Sequence, residues 1–159
     1  MQFEGINEKT LVLLKPDAVR RGIVGEVTAR FEQRGLKLVA LKMIKPVAKL
    51  WREHYAHVAD KPFYPAYEQF MLSSPVVAMV WEGLEAVKIV CAMTGVTNAR
   101  DAALGTIRGD FSMSKACNVI HRSDSLDTAK VEVPRFFKEE ELYDYDRGDA
   151  LLYMDDERT

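Results

Sequence analysis

Two unbroken apolar runs constrain this chain more than anything else in it. Thr10-Leu11-Val12-Leu13-Leu14 and Val76-Val77-Ala78-Met79-Val80, the latter held between Pro75 and Trp81, lack the polar alternation of a strand with one wet face. Both read as buried strands. Lys15 ends the first run, and Pro16 stops its ladder by removing a donor. From Ile23 to Arg34 the apolar residues Ile23, Val24, Val27 and Phe31 recur at helical spacing, with Gly22 before and Gly35 after. Leu36 to Ile44 alternates like a strand, Ala48 to His57 looks helical, and a further helix is predicted from about Glu85 to Met93. Strand, helix and strand within the first 45 residues open an α/β arrangement, and the order of elements suggests an α/β sandwich on an antiparallel sheet.

A chain of 159 residues suggests one domain, and 48% apolar with 29% charged residues suits a globular protein with a real core. The net charge of −2 argues against a dedicated nucleic-acid binder, which needs a basic excess, but leaves room for a local basic pocket. Cys91 and Cys117 form neither a CxxC nor a metal-like pair, so reduced thiols in a cytoplasmic protein are expected. Met1 to Lys9 is too polar for a signal peptide, and no apolar run is long enough to cross a membrane. From Lys138 onward nine acidic residues face three basic ones, interspersed with Leu142, Tyr143, Tyr145, Leu151, Leu152 and Tyr153. That is too apolar for a disordered acidic tail, so residues 138–159 are expected to pack on the domain or on a neighbouring subunit. Arg20, Arg21, Arg30 and Arg34 read as a solvated face.

The chemistry concentrates at Asn118-Val119-Ile120-His121-Arg122-Ser123-Asp124-Ser125. A short apolar run ends in a histidine, and residues that cap free backbone N–H groups follow, so a helix is expected to start near Ser123. An imidazole is mostly neutral at pH 7, because its reference pKa is about 6.5. One ring nitrogen can then attack while the other holds its proton against an acceptor, and Glu132, three helical turns on, is the candidate acceptor. Arg108, in Thr106-Ile107-Arg108-Gly109-Asp110-Phe111, carries a guanidinium fork that matches phosphate oxygens, and Gly109 leaves the backbone beside it unencumbered. Phe63 stands in a proline-rich aromatic turn, where it can stack on a base face or pack inward. His54 and His57 could share a metal, but no third ligand is near in sequence.

The octet, the Arg108 stretch and Lys15-Pro16-Asp17-Ala18 together resemble the signatures of the nucleoside diphosphate kinases, whose active-site pattern is N-x-x-H-G-S-D. The match runs from about Thr10 to Phe137. The resemblance implies a single domain with a ferredoxin-like βαββαβ core. It implies transfer of the terminal phosphate of a nucleoside triphosphate to a nucleoside diphosphate, by a ping-pong route through a phosphohistidine at His121. It assigns Ser123 and Glu132 to orienting the histidine, Tyr55 to its neighbourhood, Lys15 to phosphate and sugar, Thr97 and Arg108 to the phosphates, Asn118 to the sugar and Phe63 to the base. Mg²⁺ is implied, with Asp124 holding it through water, as is a homo-oligomer, tetramer or hexamer. Two positions depart from the family: Cys91 stands where an arginine usually reaches the phosphates, and Arg122 where glycine follows the histidine. Arg122 either pairs with an acidic neighbour such as Asp124 or Asp127, or turns into the cleft and replaces the missing cation. A non-catalytic nucleotide-binding relative is the alternative reading.

Overall fold

The computed structural model describes residues 7–148 and 152–158. Its centre is β1 (Glu8–Leu14), whose last five residues are all buried. β1 pairs antiparallel with β3 (Val76–Gly83) on one side and with the short β4 (Ile120–Arg122) on the other. β2 (Lys37–Ile44) pairs with β3, which gives the antiparallel order β2-β3-β1-β4. Successive side chains of a strand point to opposite faces. Leu11, Leu13, Ala78 and Val80 therefore belong to one core, and Val12, Leu14, Val77, Met79 and Trp81 to the other. Both unbroken runs are thus buried on both faces, as read from their lack of alternation.

Helices cover each face. The first core is closed by α3 (Ala48–His54), α4 (Tyr64–Leu72) and α7 (Leu126–Phe136), through Trp51, Tyr64, Met71, Val133 and Phe136. The second is closed by α1 (Pro16–Arg20), α2 (Val24–Gln33), α5 (Ala86–Thr94) and α6 (Ile107–Phe111), through Ala18, Val27, Phe31, Val90 and Ile107. With α3 and α4 inserted between β2 and β3, this is the ferredoxin-like single domain.

Several expected boundaries move. The helix expected over Ala48 to His57 ends at His54, and the chain continues in successive turns (Val58 N to Tyr55 O, 2.9 Å; Lys61 N to Val58 O, 3.0 Å). The helix expected near Ser123 starts at Leu126, capped by Ser125, whose hydroxyl accepts from Thr128 N at 3.1 Å. Ser123 is instead still in the ladder: its N–H donates to Leu11 O at 3.2 Å. Two of the four arginines read as a solvated face do more than that. Arg30 pairs with Asp110 at 2.7 Å and lies over the Phe111 ring, and Arg21 donates to Phe111 O at 2.5 Å. Residues 1–6 of the polar N-terminus and Leu151 of the tail lie outside the described residues. Among the described residues, no helix is long and apolar enough to cross a membrane.

Candidate active site

β4 is short because its approach is contorted. Val119, which precedes it, has φ 63°, in the left-handed region, where a β-branched residue pays about 1–3 kcal/mol. Two bonds fix it there: Val119 N donates to Asp17 Oδ2 at 3.0 Å, and Lys15 N to Val119 O at 2.9 Å. The kink joins the end of β1 to the start of β4. It brings Lys15 and His121 to one cavity of about 1110 Å³, which Tyr55, Phe63, Thr97, Arg108, Asn118, Arg122 and Asp124 also line.

His121 is held through one nitrogen. Its Nε2 lies 3.0 Å from Glu132 Oε2, and the same oxygen accepts from Ser123 Oγ at 2.7 Å. Burial pulls the imidazole below its usual pKa, against the pull of Glu132. Burial pushes the Glu132 carboxyl up, but the bonds from His121 and Ser123 outweigh it and hold the group below the usual carboxylate range. A neutral imidazole facing a carboxylate donates from Nε2, so the lone pair sits on Nδ1. The structure thus brings Glu132 and Ser123 together at His121, and Ser123 spends its hydroxyl here rather than on a helix cap.

The cations are dry. Lys15 Nζ donates to Asn118 Oδ1 at 2.5 Å and to Ala116 O at 3.3 Å. Burial, with the Arg108 charge added, pulls it down to about 7. Arg108 donates to Gly95 O at 3.1 Å and Ile120 O at 2.8 Å, while its Nε is buried without a partner. Burial, then the charge of Arg122, pulls it down to about 10. Asn118 also donates from Nδ2 to Thr97 O at 2.7 Å and Lys115 O at 2.9 Å, so its amide ties Lys15 to the Thr97 loop. Gly109 sits inside α6, not in an open loop. A Cβ there would stand 2.0 Å from Ala103 O, so the glycine permits a close packing rather than a free approach. Phe63 is 56% exposed at the N-cap of α4, on the cavity wall.

The resemblance puts Tyr55 near the histidine, but sequence reasoning missed Tyr67, His54 and Arg135 as parts of the surroundings. Tyr55 lies edge-on to His121, ring centroids 5.8 Å apart, and receives a bond from Tyr67 OH at 3.1 Å; Lys15 lies 5.3 Å from the Tyr67 ring centroid. His54 Nε2 sits 3.1 Å from His121 Nε2, and its Nδ1 accepts from Arg135 Nη1 at 3.2 Å. The available signals were the adjacency of His54 to Tyr55 and the i, i+3 spacing of Glu132 and Arg135. His54, His121 and Glu132 present ligand atoms within 4.8 Å of one another, so the histidine's missing partners are spatial, not sequential. Arg135 occupies the His54 Nδ1 lone pair, however, so ligation through Nε2 would require a doubly deprotonated ring. That trio does not fit a resident metal. Asp124 and Asp127, both exposed on the cavity rim, fit better for an ion held mainly by phosphate oxygens and water.

The family model for nucleoside diphosphate kinase matches residues 8–142. A nucleoside diphosphate kinase of Parabacteroides distasonis is 48% identical over 151 residues, covering 94% of this chain and 99% of the relative. Among solved structures, that of a halophilic nucleoside diphosphate kinase from Halobacterium salinarum in complex with CDP matches with TM-score 0.91 and 44% identity, over 93% of this chain and 99% of that one. A transition state mimic of the Borrelia burgdorferi enzyme, with bound vanadate and ADP, matches with TM-score 0.86 and 36% identity, over 93% and 97% of the two chains.

Proposed function

The chain belongs to the nucleoside diphosphate kinase family, and from that premise we propose that His121 Nδ1 is the atom that carries the phosphate. The protein transfers the terminal phosphate of a nucleoside triphosphate to a nucleoside diphosphate. In the first half-reaction Nδ1 attacks the γ-phosphorus in line, the bond to the β,γ-bridging oxygen breaks, and the diphosphate leaves. A second diphosphate then takes the phosphate by the reverse steps. The observation that carries this is the His121 Nε2 to Glu132 distance of 3.0 Å, which leaves Nδ1 as the basic nitrogen.

Positive charge forms on the ring as the N–P bond forms, and the Glu132 carboxylate meets it at once. Lys15 and Arg108 face the phosphates, and charge stabilisation with positioning is most of what this reaction needs. Phe63 offers an exposed ring to the base; stacking is tolerant of base identity. Thr97 meets the phosphates, Asn118 holds Lys15 beside the sugar, and Tyr55 walls the nucleophile. Asp124, with Asp127 beside it, would hold Mg²⁺ through water, and a bound ion supplies charge neutralisation across the phosphate oxygens. A homo-oligomer, tetramer or hexamer, in the cytoplasm completes the reading; large apolar side chains such as Leu41, Met43, Leu104 and Met113 stand exposed and available to assembly.

The test is incubation with ATP and Mg²⁺ and assay of acid-labile phosphate on the protein. The native chain is expected to be labelled. His121→Ala is expected to fold and bind nucleotide but take no label. Transfer activity retained by His121→Ala would refute the assignment.

A further inference from the structure

Arg122 follows the nucleophile directly, and the phosphotransfer steps give it no part. It is an ordinary strand residue opposite Val12, not one of the positive-φ positions. Its side chain is only 17% exposed; it pairs with Asp124, itself 80% exposed. The guanidinium therefore has the acidic neighbour that one reading of the sequence expected, and it also lines the cavity beside Lys15, Arg108 and His121.

The crowding of cations is the telling feature. Arg122 lies close enough to Arg108 to help lower its pKa, and to Cys91 to act on the thiol. Cys91 lies against the same stretch of chain, its Sγ donating to Ser123 O at 3.5 Å. Arg108 Nε and Arg122 Nε are both buried without partners. Like charges brought together in a partly dry cleft repel, and unpaired N–H donors there cost free energy. Glu132 is committed to His121 and Ser123, and Asp124 reaches Arg122 from the solvent side. An anion placed between the two guanidiniums relieves the repulsion and offers acceptors to the free donors.

We propose that Arg122 is a phosphate-binding residue, its guanidinium meeting the phosphates of the bound nucleotide on the side of the cleft where Cys91 stands. Asp124 holds that guanidinium at the rim while the cleft is empty. This rests on the phosphotransfer reading of the same site.

The experiment is calorimetric titration of folded variants with ADP and with adenosine, in magnesium-free buffer. Arg122→Gln is expected to weaken ADP binding about tenfold or more, with adenosine affinity kept within about twofold, because only ADP carries the anion. Arg122→Lys, the milder change, keeps the charge but loses the fork, and is expected to weaken ADP binding by about threefold. Adding Cys91→Arg to Arg122→Gln restores a guanidinium from the neighbouring position, and most of the loss should be recovered. ADP affinity equal to the native value in either single variant overturns the proposal, as does an equal loss for adenosine or no recovery in the double variant. Phosphoenzyme formation by the native chain is scored separately. A chain that binds ADP through Arg122 yet takes no label overturns the phosphotransfer reading and leaves this one standing.

Discussion

Glutamine in place of Glu132 would keep the shape of the His121 support and remove its charge. Glu132→Gln is expected to slow phosphoenzyme formation by about 10- to 100-fold, the usual cost of losing a group that orients and polarises a reacting histidine. ADP affinity should stay within about twofold, since the carboxylate lies behind the ring from Nδ1. Rapid-quench labelling beside equilibrium titration separates the two quantities, and equal losses in both would mean that Glu132 serves the fold instead. Lys15 makes a prediction in pH. Burial brings its pKa to about 7 in the free protein, whereas a bound phosphate favours the ammonium and raises it. Binding of ADP should therefore take up a proton above pH 7, and affinity should fall as pH rises from 7 towards 9, by at most about tenfold per unit. Lys15→Arg, which stays charged, should flatten that profile; a native profile already flat over this range would contradict the burial argument. His121, Lys15 and Arg108 were legible because each brings an unusual residue type to the end of an apolar run or beside a glycine, and Glu132 because it stands three helical turns on from the histidine stretch. His54 and Arg135 were not, because their meaning comes from a contact across 81 residues, Arg135 Nη1 on His54 Nδ1.

Short elements hid for a different reason. α1 and α6 are five residues each, too brief for a 3.6-residue period to register. α4 begins in the proline-rich stretch read as a rigid turn: Pro65 sits in its first turn, where a missing N–H costs nothing. In α6 the sequence did offer Gly109, but the physical reason for it is steric. Thr106 caps the helix by accepting from Gly109 N at 3.1 Å, and the helix then presses on the loop before it. Gly109→Ala would drive a methyl against Ala103 O, which ordinary Cβ atoms never approach at 2.0 Å. Relief requires α6 to shift, and Arg108 shifts with it. The expected outcome is a destabilisation of about 1–3 kcal/mol, the common cost of overpacking, together with weaker ADP binding. Chemical denaturation and titration of the one variant check both; a loss of ADP affinity without loss of stability would show that α6 moves freely.

At the scale of the molecule, the sheet order puts the two edges to different uses. β4 carries the nucleophile at one edge, and β2 lies at the other, three strands away. From sequence the tail was expected only to pack on the domain or on a neighbouring subunit; that it meets the β2 edge was not legible, because the closure depends on a bulge. Leu38 pairs with Trp81 and Ala40 with Val80, so Val39 has no partner on β3. The tail answers there. Tyr143 N donates to Val39 O at 3.0 Å and Tyr145 OH to Leu38 O at 2.8 Å, while Lys42 pairs with Glu141 at 2.6 Å and Lys37 with Asp144 at 2.9 Å. The ion pairs include exposed groups and contribute little. The two bonds to β2 carbonyls contribute about 1 kcal/mol each, beside the packing of Leu142 on the first core. An open strand edge is also a template for another chain. Ending the chain after Lys138 should therefore lower the thermal midpoint by about 4–8 °C, as roughly 2 kcal/mol does in a domain of this size. It should also make the protein associate with rising concentration, while ADP affinity holds, because the lost contacts lie across the sheet from His121. Calorimetric melting and sedimentation at several concentrations test this, and a truncated chain that melts with the native one would mean that the tail adds nothing to the edge it follows.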